Sequence, residues 1–244
     1  MNTKYPISFI FPVYNEEANI YNMVKSLVDF LQTQDVIKEY EIIIVEDGSM
    51  DNTAKVVREL QDTVANLKVV AHTKNLGYGK ALMSGVQASQ YRLVFFMDAD
   101  GQFNIRDIGK IFPYLEDFDI IAAYRHKRAD TLYRIILARV YTYIVFLLFG
   151  LKLKDINCGF KLFKKEILTR KNIYSKAGVF YTEILLRAKN EGYVIKEIPV
   201  DHFPRLEGKQ TGASPKVIFN AITDLLKLKY SLTRDTLKNF LKGA

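Results

Sequence analysis

The chain has 244 residues with 49% hydrophobic and 25% charged, the proportions of a globular protein with a sizeable core and not of a disordered or fibrous one. Its formal net charge of +8 favours anionic partners, whether nucleic acid, phosphorylated small molecules or an acidic membrane surface. A single cysteine, Cys158, excludes an intrachain disulfide, and no cysteine and histidine cluster suggests zinc.

The first residues run into a strand with no small-residue cleavage site, so no signal peptide is read and a cytoplasmic location is expected. Ile7 to Phe11 is the first predicted strand, closed by Pro12. Glu16 to Leu31 then carries Ile20, Met23, Val24, Leu27 and Leu31 at helical spacing. Glu41 to Glu46 is a second strand, and Asp51 caps a helix through Leu60. Leu67 to Ala71, Lys80 to Ala88 and Leu93 to Met97 read as strand, helix and strand, the last apolar enough to be buried on both faces. This alternation predicts an α/β fold with a mainly parallel, helix-covered sheet. After a strand near Asp119 to Ala123 the regularity fades into a basic loop, an apolar segment, DINCGFKLF and a helix near Tyr181 to Asn190.

In such sheets ligands bind beyond the carboxyl ends of the strands, where this chain places FPVYNEE (11–17), EDGSMDNT (46–53) and DADGQ (98–102). Asp98 and Asp100 project to one side of an extended chain, with Cα atoms about 7 Å apart. Left unpaired, they repel by about 1–3 kcal/mol, so a hard divalent ion, Mg2+ or Mn2+, fits between them. Gln102 offers a further oxygen; the alternative is an Asx turn closed by Gly101. FPVYNEE suits a nucleobase and ribose, or a strand exit capped by Asn15. Asp47 reads as a base or ribose ligand, or as part of a turn with Gly48, Ser49 and Asp51. NLGYGKAL (75–82) has two glycines before a helix, for phosphate or for close packing, without the full spacing of a nucleotide loop. Arg125, His126, Lys127 and Arg128 form either a solvated face or, through Arg125, a diphosphate clamp.

Together FPVYNEE, EDGSMDNT, GKAL, DADGQ, DINCGFKLF and EIPVDHFPRLEGK resemble the family 2 glycosyltransferases of GT-A fold, within the dolichol-phosphate mannose synthase and polyprenyl-phosphate glycosyltransferase group. The resemblance runs from about residue 7 to about 210. It implies a single GT-A domain over 1–212, with a nucleotide-sugar half to about 125 and an acceptor half from 126, then an amphipathic helical segment over 213–244. It also implies that Pro12, Tyr14, Glu16, Val45 and Asp47 hold base and ribose, and that Asp98, Ala99 and Asp100 meet the nucleotide-sugar. Asp98, Asp100 and Gln102 would bind the metal, Arg125, Arg205 and Lys209 would contact phosphates, and Asp155 would stand at the acceptor side. The chain departs from the family pattern at Glu46 before Asp47, at Gly101, at Ala123 and Tyr124 before Arg125, and at Thr211.

The implied reaction is inverting transfer of a sugar from a nucleotide-sugar to a polyprenyl phosphate, with a metal ion and Arg125 stabilising the leaving diphosphate. A hydroxyl acceptor would instead need a base, for which Asp155 is the candidate; the alternative for Asp155 is a structural cap. A polysaccharide or glycolipid hydroxyl is thus the second acceptor class, and a non-catalytic nucleotide-sugar-binding subunit the third possibility. The longest uncharged apolar run, Val140 to Leu151, has twelve residues and about 18 Å of helical length, too short to cross a bilayer alone. Leu132 to Leu151 with Arg134, Arg139, Lys152 and Lys154, and Pro215 to Leu241, read as interfacial helices or as core. The expected partners are therefore a nucleotide-sugar, a polyprenyl phosphate and the cytoplasmic face of a membrane, held peripherally or through a membrane-anchored partner. No nucleic-acid module is recognisable.

Overall fold

The computed structural model describes residues 5–37, 39–170, 173, 178–205, 207 and 215–242, without the side chains of 215–219 and 235–242. Seven strands form one mixed sheet: β1 (Ile7–Val13), β2 (Tyr40–Glu46), β3 (Leu67–Ala71), β4 (Leu93–Phe96), β5 (Ile120–Arg125), β6 (Lys161–Lys164) and β7 (Ile195–Val200), in the order β3-β2-β1-β4-β6-β5-β7. All neighbours run parallel except β6, which pairs antiparallel with β4 and β5. Its Leu162 lies opposite Phe95 on one side and Ile121 on the other. The α/β reading holds, and β6 and β7 complete the sheet in the region where the sequence alternation fades.

Strand β1 continues past Pro12 to Val13, farther than the proline suggested. Ile10 O accepts from Met97 N on the β4 side, while Val13 O accepts from Asp47 N on the β2 side. By alternation Pro12 faces the β4 side, beyond the last β1–β4 pair at Ile10 and Phe96. Its missing N–H therefore costs no ladder bond.

Alternate strand residues supply two cores. Phe9, Phe11, Ile42, Ile44 and Phe95 pack with Leu27 of α1 (Ile20–Gln32) and Val57 of α2 (Thr53–Thr63). All five apolar positions that define the α1 stripe in the sequence are buried. Ile10, Ile43, Val45, Val94 and Phe96 face the other way, onto Leu82 of α3 (Tyr78–Ala88) and Ile184 of α6 (Phe180–Asn190). Val145 of α4 (Leu132–Phe149) and Leu225 of α7 (Pro215–Lys242) join this second core, and a short helix α5 (Lys165–Thr169) follows β6. At Gly85 α3 comes so close to β1 that a Cβ would overlap the Ile10 side chain.

Helix α4 is longer than the uncharged run inside it. Its 18 residues span about 27 Å and are long and apolar enough to cross a membrane by length and composition. One face is nonetheless committed to the domain: Val145 is fully buried, and the Tyr141 hydroxyl bonds Gly178 O at 2.8 Å and Thr182 Oγ1 at 2.7 Å. The opposite face exposes Leu132, Tyr133, Ile136, Val140, Tyr143 and Leu147.

Candidate active site

The loops after β1 and β2 are laced together. Glu16 N donates to Thr53 Oγ1, Asn15 N to Ser49 Oγ, and Met50 N to Asn15 Oδ1. Asn15 adopts φ 56°, so it serves this lacing and not the helix cap the sequence allowed. Asp51 Oδ1 accepts from Thr53 N at the start of α2, but the cap position falls one residue later than expected, at Asn52, whose side chain makes no capping bond. Tyr14, just past β1, is exposed, and Pro12 is half-buried. Val45 is wholly inside the second core, so its side chain presents nothing to the crevice. Asp47, buried, braces the neighbouring loop: Oδ1 accepts from Leu76 N at 2.8 Å and pairs with His72 Nδ1 at 2.7 Å, while Oδ2 accepts from Gly77 N at 2.8 Å. The Gly77 turn, at φ 92°, thus depends on the carboxylate expected to read base or ribose.

Strand β4 delivers Asp98, Ala99 and Asp100 to the centre of the sheet edge. Ala99 is buried in the first core, leaving the two carboxylates to face the crevice. Asp98 Oδ1 accepts from the Tyr78 hydroxyl at 2.7 Å. Asp100 Oδ1 accepts from Gln102 N, and its Oδ2 lies 3.4 Å from Arg205 Nη1. Gly101, at φ 75°, makes the tight bend. Gln102 is buried; its Nε2 donates to Phe203 O at 3.0 Å, which leaves its amide oxygen as an acceptor. Arg205 also pairs with Glu16 Oε1 at 2.5 Å and so bridges the β1 and β4 loops.

Burial, and then the Asp98 charge beside it, push the Asp100 carboxyl up to about 6. Asp98 is raised by burial against the Tyr78 hydrogen bond, and Glu16 by burial against Asn19 and Arg205. Arg125 and Lys161 act on Asp98 and Arg205 on Asp100, yet both carboxyls stay raised, so the cluster is short of positive charge. Among the described residues no group of three or more His, Cys, Asp or Glu could hold a metal. Two carboxylates and an amide oxygen nevertheless fit Mg2+ or Mn2+, which take few protein ligands and complete their shell with water and phosphate.

The strand end at β5 carries Arg125, whose Nε and Nη2 grip both Asp155 oxygens at 2.6 and 2.9 Å. A second carboxylate, Asp130, was not singled out in the sequence. Its side chain is 1% exposed and faces three guanidinium groups: Arg128 at 2.7 Å, Arg134 at 3.2 Å and Arg125 at 3.7 Å. Burial favours the neutral acid at Asp155 and Asp130, but Arg125 and Arg128 respectively outweigh it and hold both below the ordinary carboxylate range. His202 Nδ1 accepts from Ala129 N, and burial with the Arg125 charge brings its pKa down to about 4. Lys209 lies outside the described residues.

Some of these groups line one cavity of about 350 Å³. Asp98, Asp100, Gln102, Arg125, Arg128 and Arg134 give it charged and polar lining, and Leu137, Val140 and Ile144 of α4 with Ala221 and Ile222 of α7 give it apolar lining. Asp155 instead lines a neighbouring cleft, beside Lys127, Arg139 and Lys154. Tyr78 lies within NLGYGKAL, which the sequence marks by its glycines, and Arg134 flanks a segment that reads as interfacial; a lone carboxylate closing a basic run is the available sign of Asp130.

A family model described as glycosyl transferase family 2 matches residues 8–170. A dolichyl-phosphate beta-glucosyltransferase of Trichomonas vaginalis is 28% identical over 239 residues, covering 91% of this chain and 72% of that protein. Proteins of the same name from Dictyostelium discoideum and Homo sapiens are 29% and 27% identical, over 80% and 84% of this chain and 65% and 69% of their own lengths. The solved structure of glucosyl-3-phosphoglycerate synthase from Mycobacterium tuberculosis with Mn2+, uridine diphosphate and glucosyl-3-phosphoglycerate superposes with a TM-score of 0.71 at 17% identity, over 92% of this chain and 80% of that one. This likeness gives the fold as GT-A.

Proposed function

From the chain's membership of glycosyl transferase family 2, which makes it a glycosyltransferase, we propose that it transfers one sugar from a UDP- or GDP-sugar to a polyprenyl or dolichyl phosphate, with inversion, at a membrane surface. The observation that carries the reading is the cavity itself, whose lining combines paired carboxylates, three arginines and apolar side chains of two helices. Such a combination of surfaces suits a metal-held diphosphate, an acceptor phosphate and a lipid chain. A hydroxyl acceptor fits less well. Asp155, its candidate base, is locked in a two-pronged ion pair, held in its weakly basic form and turned to another cleft.

In the proposed reaction an acceptor phosphate oxygen attacks the anomeric carbon, and the bond to the nucleoside diphosphate breaks with its electron pair leaving on the diphosphate. Being already ionised, the phosphate needs no proton removed. Asp98, Asp100 and Gln102 would hold Mg2+ or Mn2+, which supplies charge stabilisation to the leaving group. Arg205, already bridging Glu16 and Asp100, would close over the diphosphate, while Tyr14 and Pro12 would flank the base. Arg125, Arg128 and Arg134 would hold the acceptor phosphate, with Asp155 bracing Arg125. Asp47 would shape the nucleotide loop through Leu76 and Gly77, and any contact from Val45 would come through its main chain.

The relatives named for dolichyl phosphate and glucose make UDP-glucose the first donor to try. The exposed apolar face of α4 supports a peripheral seat on the cytoplasmic face of a membrane, alone or beside a membrane-anchored partner. The test incubates the protein and Mn2+ or Mg2+ with labelled nucleotide-sugars and a polyprenyl monophosphate, and follows label into the organic phase. The expected result is metal-dependent lipid label, lost in Asp98→Ala with the melting temperature kept. Label reaching only hydroxyl acceptors would transfer the assignment to a polysaccharide or glycolipid, and nucleotide-sugar binding without any transfer would mark a non-catalytic subunit.

A further inference from the structure

Beneath Asp98 lies a chain of hydroxyl groups that the reaction as described does not use. Tyr78, the first residue of α3, donates to Asp98 Oδ1 at 2.7 Å, and its oxygen is 2.8 Å from the Tyr181 hydroxyl on α6. The two rings meet edge to face with centroids 6.0 Å apart. Hydrogen bookkeeping fixes the direction. A carboxylate accepts only, so the single Tyr78 proton goes to Asp98, and Tyr181 must donate to Tyr78. Below Tyr181 the Lys161 ammonium sits 4.3 Å from the ring centre; it is fully buried and donates to the Cys158 carbonyl. A cation on the ring draws electron density from it and strengthens the hydroxyl as a donor, and each link polarises the next.

The other flank of Asp98 is closed by backbone. A Cβ at Gly159 would overlap the Asp98 carboxylate, so only glycine allows this approach. Asp98 is therefore gripped from two directions, by a directed hydrogen bond from α3 and by the main chain leading into β6.

We infer that Tyr78 is a positioning residue for Asp98, and that Tyr181 acts through Tyr78, so that the pair fixes the orientation in which Asp98 meets a divalent cation. The inference rests on the metal assignment made above for Asp98 and Asp100. It goes beyond that assignment by naming two aromatic hydroxyls, 103 residues apart in the chain, as the device that presets it. A free carboxylate rotates about its terminal bond and gives up that freedom on binding. One already held gives up less, so the hydroxyl acts on cation affinity and leaves the chemical step unchanged.

The experiment titrates Mn2+ into the full chain in the presence of UDP, and separately of GDP, and reads free Mn2+ by electron paramagnetic resonance; melting temperature is followed in parallel. Tyr78→Phe removes the donor and keeps the ring. A hydrogen bond to a charged group converts to an expected loss of Mn2+ affinity of roughly tenfold. In turnover, the Mn2+ concentration for half-activation should rise by a similar factor while kcat at saturating Mn2+ stays within about threefold. Tyr181→Phe should weaken binding in the same direction but less, and the double variant should bind no worse than Tyr78→Phe alone, because the second hydroxyl has no other route to Asp98. Mn2+ affinity of Tyr78→Phe within twofold of the parent would overturn the inference, and additive losses would overturn the role of Tyr181. Absence of Mn2+ binding by the parent with both nucleotides would instead overturn the metal assignment, and this inference with it.

Discussion

Asp130 shows how much a single side chain can organise without appearing in a motif. It is almost wholly enclosed and, with Asp155, offsets part of the charge of three neighbouring arginines. In Asp130→Asn the shape is kept and the charge lost. Removing one partner of a buried ion-pair group costs about 3 kcal/mol or more, because the remaining charges are left uncompensated. Thermal unfolding should report this loss, and inorganic phosphate at tens of millimolar should restore part of it by taking the place of the carboxylate. The acceptor KM should rise as the guanidinium groups move apart. At this scale the sequence disclosed the identities of Asp98, Asp100, Arg125 and Arg205, since each stands at the end of an apolar strand or in a distinct motif. It did not disclose their partners. The pairings of Arg205 with Glu16, and of Tyr78 with Tyr181, join positions more than a hundred residues apart, and no local pattern encodes them.

Among elements, the strands and helices of the first half were legible because each had one strong period. Phe9 and Phe11 face one core while Ile10 faces the other, and α1 turns a single apolar stripe inward. Strand β6 was hidden for a physical reason: it is four residues long, and Lys161 in it is buried and charged where an apolar side chain is the rule. Gly85 shows why propensity alone misleads inside α3. Alanine there improves helix propensity by about 1 kcal/mol, yet its Cβ must displace Ile10 and overpack the α3–β1 contact, a cost of about 1–3 kcal/mol. Gly85→Ala should therefore lower stability, or at best leave it level, in a urea titration. A clear gain would mean that α3 shifts outward freely.

Over the whole molecule, the positive charge and the exposed apolar residues are not spread evenly. Ile136, Val140, Tyr143 and Leu147 of α4 lie on one exposed face, and Ile222, Leu226 and Tyr230 of α7 are exposed as well; Arg139 and Lys227 stand among them. An apolar surface bordered by cations suits an anionic bilayer. Sedimentation with phosphatidylserine-containing vesicles should show binding that weakens with salt. Ile136→Glu with Leu147→Glu should reduce it at least tenfold without changing the melting temperature, since both side chains are exposed. Equal binding by parent and variant would remove α4 from the contact. The sequence marked both helices as amphipathic or apolar but left open whether they faced solvent or core. The fold answers that α4 does both, one side on Val145 and Tyr141 and the other outward.

The five residues from Asp155 to Gly159 link Arg125 to Asp98. Asp155 sets Arg125, Gly159 abuts Asp98, and β6 begins two residues later. The placements of Arg125 and Asp98 therefore depend on one short span of main chain anchored by strand pairing. Its length is a gauge: one residue added or removed would misplace Arg125, Asp98 or both, or shift the β6 register and turn Lys161 to the wrong face. On the proposed reading, a change of spacing between the two substrates would have to arise in the arginine loop and not in this span.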